Sequence, residues 1–228
     1  MYRIAIAILL LSSPSAAQDL ASTLPVVVTT GEATLQRAPD RAFVTASVET
    51  RARNPRDAQR QNADAMDAVQ KRLADARIPK DAIRTLGYHI QQEFDYVQGR
   101  RVARDFVARN TVEVRLDDVS RAGETLDVVV QAGATSVGGV RFDLQDRAAV
   151  EREALRLAVN DARARAEAAA AGARQSIDRV IRIEDAREAG IPPRPMLAMA
   201  RSEQAPDTPI EPGVIEIHAR VIFTASLK

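Results

Sequence analysis

Cysteine and tryptophan are absent from this chain of 228 residues, histidine occurs twice, and aromatic residues make up only 4%. Without cysteine there is no disulfide, no thiolate metal site and no thiol nucleophile. A surplus of one charge sign is also missing. The 32 Lys+Arg face 31 Asp+Glu, a formal net charge of +1, and this excludes the strong basic field expected of a nucleic-acid binder. With 10 Gly and 11 Pro the chain is neither fibrous nor low in complexity, and 46% hydrophobic residues supply a core for one large or two small domains. Lysine is nearly lacking too, at Lys71, Lys80 and Lys228, and together with the abundance of alanine this reads as codon bias.

Long apolar runs are missing after residue 18, which excludes a spanning helix there. The first residues carry Arg3, an apolar run from Ile4 to Leu11, and Ser15-Ala16-Ala17 ahead of Gln18. This is the pattern of a secretory signal peptide over residues 1–17, with cleavage expected after Ala17. A membrane anchor needs about 20 apolar residues, and this run stops at Ser12, Ser13 and Pro14. No cysteine follows for lipid attachment. The expected location is the periplasm, and loss of Arg3 with the leader balances the mature chain at 31 basic and 31 acidic residues.

The remainder, residues 18–228, is expected to be one α+β domain, a mostly antiparallel sheet with three helices packed on it. Val26 to Thr30 is β-branched, and Ala42, Val44, Ala46 and Val48 alternate with polar residues as a second strand, expected antiparallel to the first. Asn54-Pro55 starts a helix, with Ala58, Asn62, Met66, Val69 and Leu73 at helical spacing. Alternation resumes at 85–97 and 105–116 around Gln98-Gly99, which predicts a long hairpin with Leu86, Tyr88, Ile90, Phe94 and Tyr96 on one face. A short helix capped by Asp117 or Asp118 follows, then a strand through Val140 and Phe142. An Ala-rich helix from Asp146 to about Ala171 is able to approach a sheet closely. Val180 to Ile183 and 214–225 complete the strands, separated by an irregular Pro/Met-rich stretch, 186–212.

Few residues stand out chemically. His89 and His218 fall on polar strand faces and, with Glu93 or Glu216, could share a metal if their strands were neighbours, yet no ligand-spaced motif supports this. Met196 and Met199 could bind a soft metal or absorb oxidant, or plug the loop down as apolar side chains. No serine has a nucleophile elbow, and the carboxylates sit beside arginines as ion pairs. The face bearing Tyr88, Phe94 and Tyr96 could stack a ligand or form hairpin core. No catalytic residue, cofactor or metal site is read from these residues.

Several collinear segments resemble the SIMPL-domain family of exported bacterial proteins. They are Val28-Thr29-Thr30-Gly31-Glu32-Ala33, Pro39-Asp40, Asn110 to Asp118, Ala132-Gly133-Ala134 through Phe142, Ala158 to Arg163, and Pro209 to Gly213. One departure is Asp105, before Phe106, where many relatives are expected to carry glycine. The resemblance implies an α+β fold, export, and a label of envelope, immunogenic or oxidative-stress-defence protein; it transfers no catalytic residues. It also implies ring-like or channel-like homo-oligomers. The expected contacts are Pro195, Met196, Leu197, Met199 and Ile210 of the loop, or an exposed terminal strand adding to a neighbour. The expected function is therefore non-enzymatic: a self-assembling protein for envelope integrity or oxidative-stress defence, its envelope or cell-wall partner unnamed. The alternative is a binding module for a small ligand, peptide or cell-wall fragment on Tyr88, Phe94 and Tyr96.

Overall fold

The computed structural model describes residues 25–186 and 210–228; the expected leader and most of the Pro/Met-rich stretch lie outside the described residues. In chain order the elements are β1 (Val26–Arg37), β2 (Arg41–Ala52), α1 (Pro55–Asp75), β3 (Ile83–Val97), β4 (Arg100–Leu116), α2 (Ala122–Gln131), β5 (Ser136–Asp143), α3 (Arg147–Gly172), β6 (Ile177–Asp185) and β7 (Ile215–Leu227). This is an α+β fold. Its strands divide between two antiparallel sheets, one ordered β1-β7-β6 and the other β3-β4-β2-β5.

That division corrects one expectation. β1 does not pair with β2; it pairs along its whole length with β7, from Val26 opposite Ser226 to Arg37 opposite Ile215. Between β1 and β2 lies Ala38-Pro39-Asp40, where buried Pro39 fixes its own backbone and offers no N–H to a ladder, and the chain leaves one sheet for the other. The return crossing, β5 to α3, runs beside it. The Asp40 N–H bonds Asp143 O at 3.3 Å, while the Gln145 N–H reaches an Asp40 carboxylate oxygen at 2.6 Å and Gln145 Nε2 the Asp40 carbonyl at 3.1 Å. Pro39-Asp40, one of the recognised segments, thus ties the two crossings together.

The four-stranded sheet carries α1 and α2. Asn54 caps α1 by accepting the Asp57 N–H at 2.9 Å, Pro55 opens it, and Ala58, Asn62, Met66, Val69 and Leu73 form its buried stripe. Met66, Val69 and Leu73 meet Ala42, Val44, Ala46 and Val48 of β2 and Val112, Val114 and Leu116 of β4. Asn62 is fully buried, yet its Nδ2 donates to the Val48 and Ala108 carbonyls at 2.9 and 3.0 Å, joining the helix to both strands.

The three-stranded sheet carries α3. Asp146 caps it, and Ala154, Ala158, Ala162, Ala166 and Ala170 are buried at a spacing of four; the middle three face Val221, Phe223 and Ala225, and Ala154 packs with Leu144 and Ile217. Where its alanine methyls cross β1, the helix rests almost on the strand backbone. A Cβ at Gly31 would stand 2.1 Å from the Ala158 carbonyl oxygen and 2.3 Å from the Ala162 nitrogen. Thr29 Oγ1 donates to the Ala162 carbonyl at 2.8 Å, and the Glu32 N–H to an Asp161 carboxylate oxygen at 3.0 Å. Two further recognised segments, 28–33 and 158–163, are therefore the two sides of one contact.

Candidate functional site

The β3–β4 hairpin outgrows the sheet it belongs to. β2 pairs with β4 from Phe106 to Leu116, so nearer the turn β3 and β4 pair only with each other. Two irregularities shape the ribbon. Thr85 lies opposite Val112 and Tyr88 opposite Asn110, which makes Leu86 an extra residue in β3 and breaks the simple alternation. Gln92 lies opposite Phe106 and Phe94 opposite Ala103, so the extra residue there is in β4, at Arg104-Asp105. The departure at Asp105 thus falls in a bulge. Because that insertion is in β4, Tyr88, Ile90, Phe94 and Tyr96 keep one common face of β3.

That face is open rather than covered. Tyr88 is 45%, Phe94 36% and Tyr96 76% exposed, so the aromatics project from the ribbon instead of forming a hairpin core. Arg101 stacks over Phe94 at 3.5 Å from the ring centroid. At the turn, Gln98 and Gly99 both have positive φ, 49° and 78°, which matches the right-handed twist of a two-residue hairpin.

The loop candidates fare differently. Pro195, Met196, Leu197 and Met199 lie outside the described residues. Ile210 is partly buried and packs against the core cluster of the four-stranded sheet, although the chain goes on from it into β7 of the other sheet. The terminal strand is also placed otherwise than expected. β7 is the central strand of its sheet, paired on both sides, and has no free edge to add to a neighbour. Among the described residues the edge strands of that sheet are β1 and β6, and β6 exposes Val180, Ile181 and Ile183.

The outer face of the four-stranded sheet is a lattice of ion pairs. Glu49 receives Arg109 Nε at 3.0 Å and Arg51 at 2.7 Å; Glu113 receives Arg84 at 2.8 Å and Arg141 at 3.5 Å. The hydrogen bond from Arg109 holds the Glu49 carboxyl below its ordinary range against the opposing effect of burial, and the charges of Arg109, Arg51 and His89 add to it. Glu49 therefore stays ionised at neutral pH and serves as an ion-pair partner. Alternating charges on adjacent polar strand faces were the signal for this lattice, legible only with the pairing known. His89 lies on β3 opposite Arg109, and His218 lies on β7, where Nδ1 meets Thr34 Oγ1 at 2.9 Å. The two histidines sit in different sheets. Among the described residues no group of three potential metal ligands is brought together.

The model of the SIMPL family, described as "Protein of unknown function (DUF541)", matches residues 27–224. The chain is 27% identical over 182 residues to the "Uncharacterized protein YggE" of Escherichia coli K12, covering 80% of this chain and 74% of that protein. It is 29% identical over 192 residues to the "26 kDa periplasmic immunogenic protein" of Brucella melitensis, covering 81% of this chain and 76% of that protein. The Brucella abortus protein of the same name matches at the same identity and coverage.

Proposed function

We propose the following reading for a chain that belongs to the SIMPL family: it is a non-enzymatic protein of the periplasm that self-associates and contributes to envelope integrity or stress defence. The observation that carries the non-enzymatic part is where the recognised segments lie. Gly31 and Ala158 to Arg163 form one helix-on-strand contact, Asp40 ties the sheet crossings, and Asp118 caps the turn before α2 by accepting the Ser120 N–H at 3.0 Å. These residues hold the fold together. The name of the Brucella relative and the leader pattern at residues 1–17 support export to the periplasm, with cleavage after Ala17. The family match spans both sheets, which supports a single domain over 18–228.

Self-association is proposed through Pro195, Met196, Leu197 and Met199, with Ile210 anchoring the end of that segment, and through β6, an apolar edge strand of the described sheet, where an edge invites strand addition. A nearly neutral chain offers little long-range repulsion between copies. Light scattering on the mature chain tests this: a mass above the monomer that falls on Ile183→Lys or on deletion of 190–208 supports the contacts, and a monomer at high concentration removes them. The alternative, capture of a small ligand, peptide or cell-wall fragment, is favoured by the exposure of Tyr88, Phe94 and Tyr96. Those rings lie on an open ribbon, whereas small-ligand sites are concave. Tyrosine fluorescence titration with peptidoglycan fragments, compared between the native chain and Tyr88→Ala, tests that reading.

A further inference from the structure

We propose that the tip of the β3–β4 hairpin is a membrane-contact device that seats on a bilayer of anionic phospholipid while the rest of the molecule stays in water. Beyond Phe106 the ribbon has no third strand among the described residues, and the pairs from Phe94 opposite Ala103 to Val97 opposite Arg100 extend past the end of β2. At about 3.3 Å per residue, this projection carries the turn roughly 15 Å outward. Interfacial segments enter the headgroup boundary by only about 5–10 Å. The reach is sufficient.

The side chains at the tip fit that boundary. Tyr96 is 76% exposed on one face of the ribbon, and Val97 55% and Val102 47% exposed on the other, so the far end is apolar on both faces. Residues 96–102 contain Arg100 and Arg101 and no acid. The nearest carboxylate in the chain, Asp95, is paired with Arg104 at 3.4 Å, and Arg101 lies over the Phe94 ring, a contact that neutralises no charge, so the charge left over at the turn is positive. Tyrosine places its ring at headgroup level with its hydroxyl in water, and arginine lays its stem along apolar surface while its guanidinium reaches phosphate. The positive-φ turn at Gln98-Gly99 presents these groups in one fixed geometry. A second copy meeting tip to tip would bring like charges together at Arg100 and Arg101, and a small ligand would find no enclosure. A planar anionic surface satisfies both the apolar and the cationic groups.

The test uses the mature full chain in co-sedimentation with phosphatidylcholine vesicles, with and without phosphatidylglycerol. Binding to the phosphatidylglycerol vesicles is expected, weakening with salt. Arg100→Ala and Arg101→Ala should each reduce it about fivefold, and Val97→Asp should abolish it. The far-UV circular dichroism should be unchanged in each variant, because the tip contributes nothing to either core. Equal binding by Val97→Asp and the native chain, or no binding to phosphatidylglycerol vesicles, overturns the proposal. A Val97→Asp variant whose mass in light scattering drops while its vesicle binding is unchanged reassigns the tip to a second copy, and overturns it as well.

Discussion

The two sheets solve one packing problem in opposite ways. On the four-stranded sheet, α1 stands off at the distance set by Leu73, Met66, Val69, Val44, Val48, Val112 and Val114, all buried, so cohesion comes from branched side chains filling the space between layers. On the three-stranded sheet, α3 packs on Val221 and Phe223 over β7 but touches the backbone of β1 through alanine methyls and the bare Cα of Gly31, where hydrogen bonds from Thr29 and Glu32 join the layers. The first arrangement is vulnerable to losing atoms. The second is vulnerable to gaining them. Two helix-on-sheet units in one chain can thus answer to different substitutions even where their secondary structure looks alike.

The contrast can be broken most sharply at Gly31. Gly31→Val must lift α3 off β1, and an urea-unfolding loss above about 3 kcal/mol is expected, with hydrogen exchange rising first in β1, β6 and β7. A variant of near-native stability would show that α3 can slide at little cost. Leu73→Ala is the complementary deletion and should lower stability by about 3 kcal/mol, with exchange rising first in β2 and β4. If instead β1 and β7 lost protection equally, the sheets would be one cooperative unit. Thr29→Val keeps the shape and removes the donor to Ala162, with an expected cost of about 1 kcal/mol by the same unfolding measurement. The smallest effect lies on the ion-pair face. Glu49→Gln should cost less than about 1 kcal/mol at neutral pH. Because the folded carboxyl titrates below its ordinary 4.5, that difference should be present above pH 4.5 and vanish as pH falls through the lowered value. A difference that persists in acid would mean that Glu49 acts through packing.

Much of the local structure was legible in the sequence, because caps and spacing are local. Asn54-Pro55 marked the start of α1, Gln98-Gly99 the hairpin turn, and the alanine spacing the close approach of α3. Partnership was not legible. β1 reads as well against β2 as against β7, since alternation says which side of a strand is apolar and nothing about which strand lies beside it. The same limit hid the central position of β7. The exposure of the hairpin's aromatic face was hidden for another reason: Phe94 and Tyr96 alternate as core residues do, yet covering them depends on a neighbouring element reaching that far, and β2 ends at Ala52, opposite Phe106. The bulges at Leu86 and Arg104-Asp105 left no residue signature beyond the unexpected Asp105. The Glu49 cluster required the register before its charges could be put together.

The register of β1 with β7 also sets an order of events. Thr34 and His218 meet across that ladder at 184 positions apart, and the strand that joins β1 to β6 comes from the far end of the chain. The three-stranded sheet therefore cannot close until residues 215–227 have left the ribosome, and so long a loop closes slowly. Until then the surface under α3 lacks its central strand, and β1 is there for the helix to meet. The four-stranded sheet with α1 and α2 lies wholly within residues 41–143 and waits for none of this, so the two halves differ in when they can form as well as in how they pack.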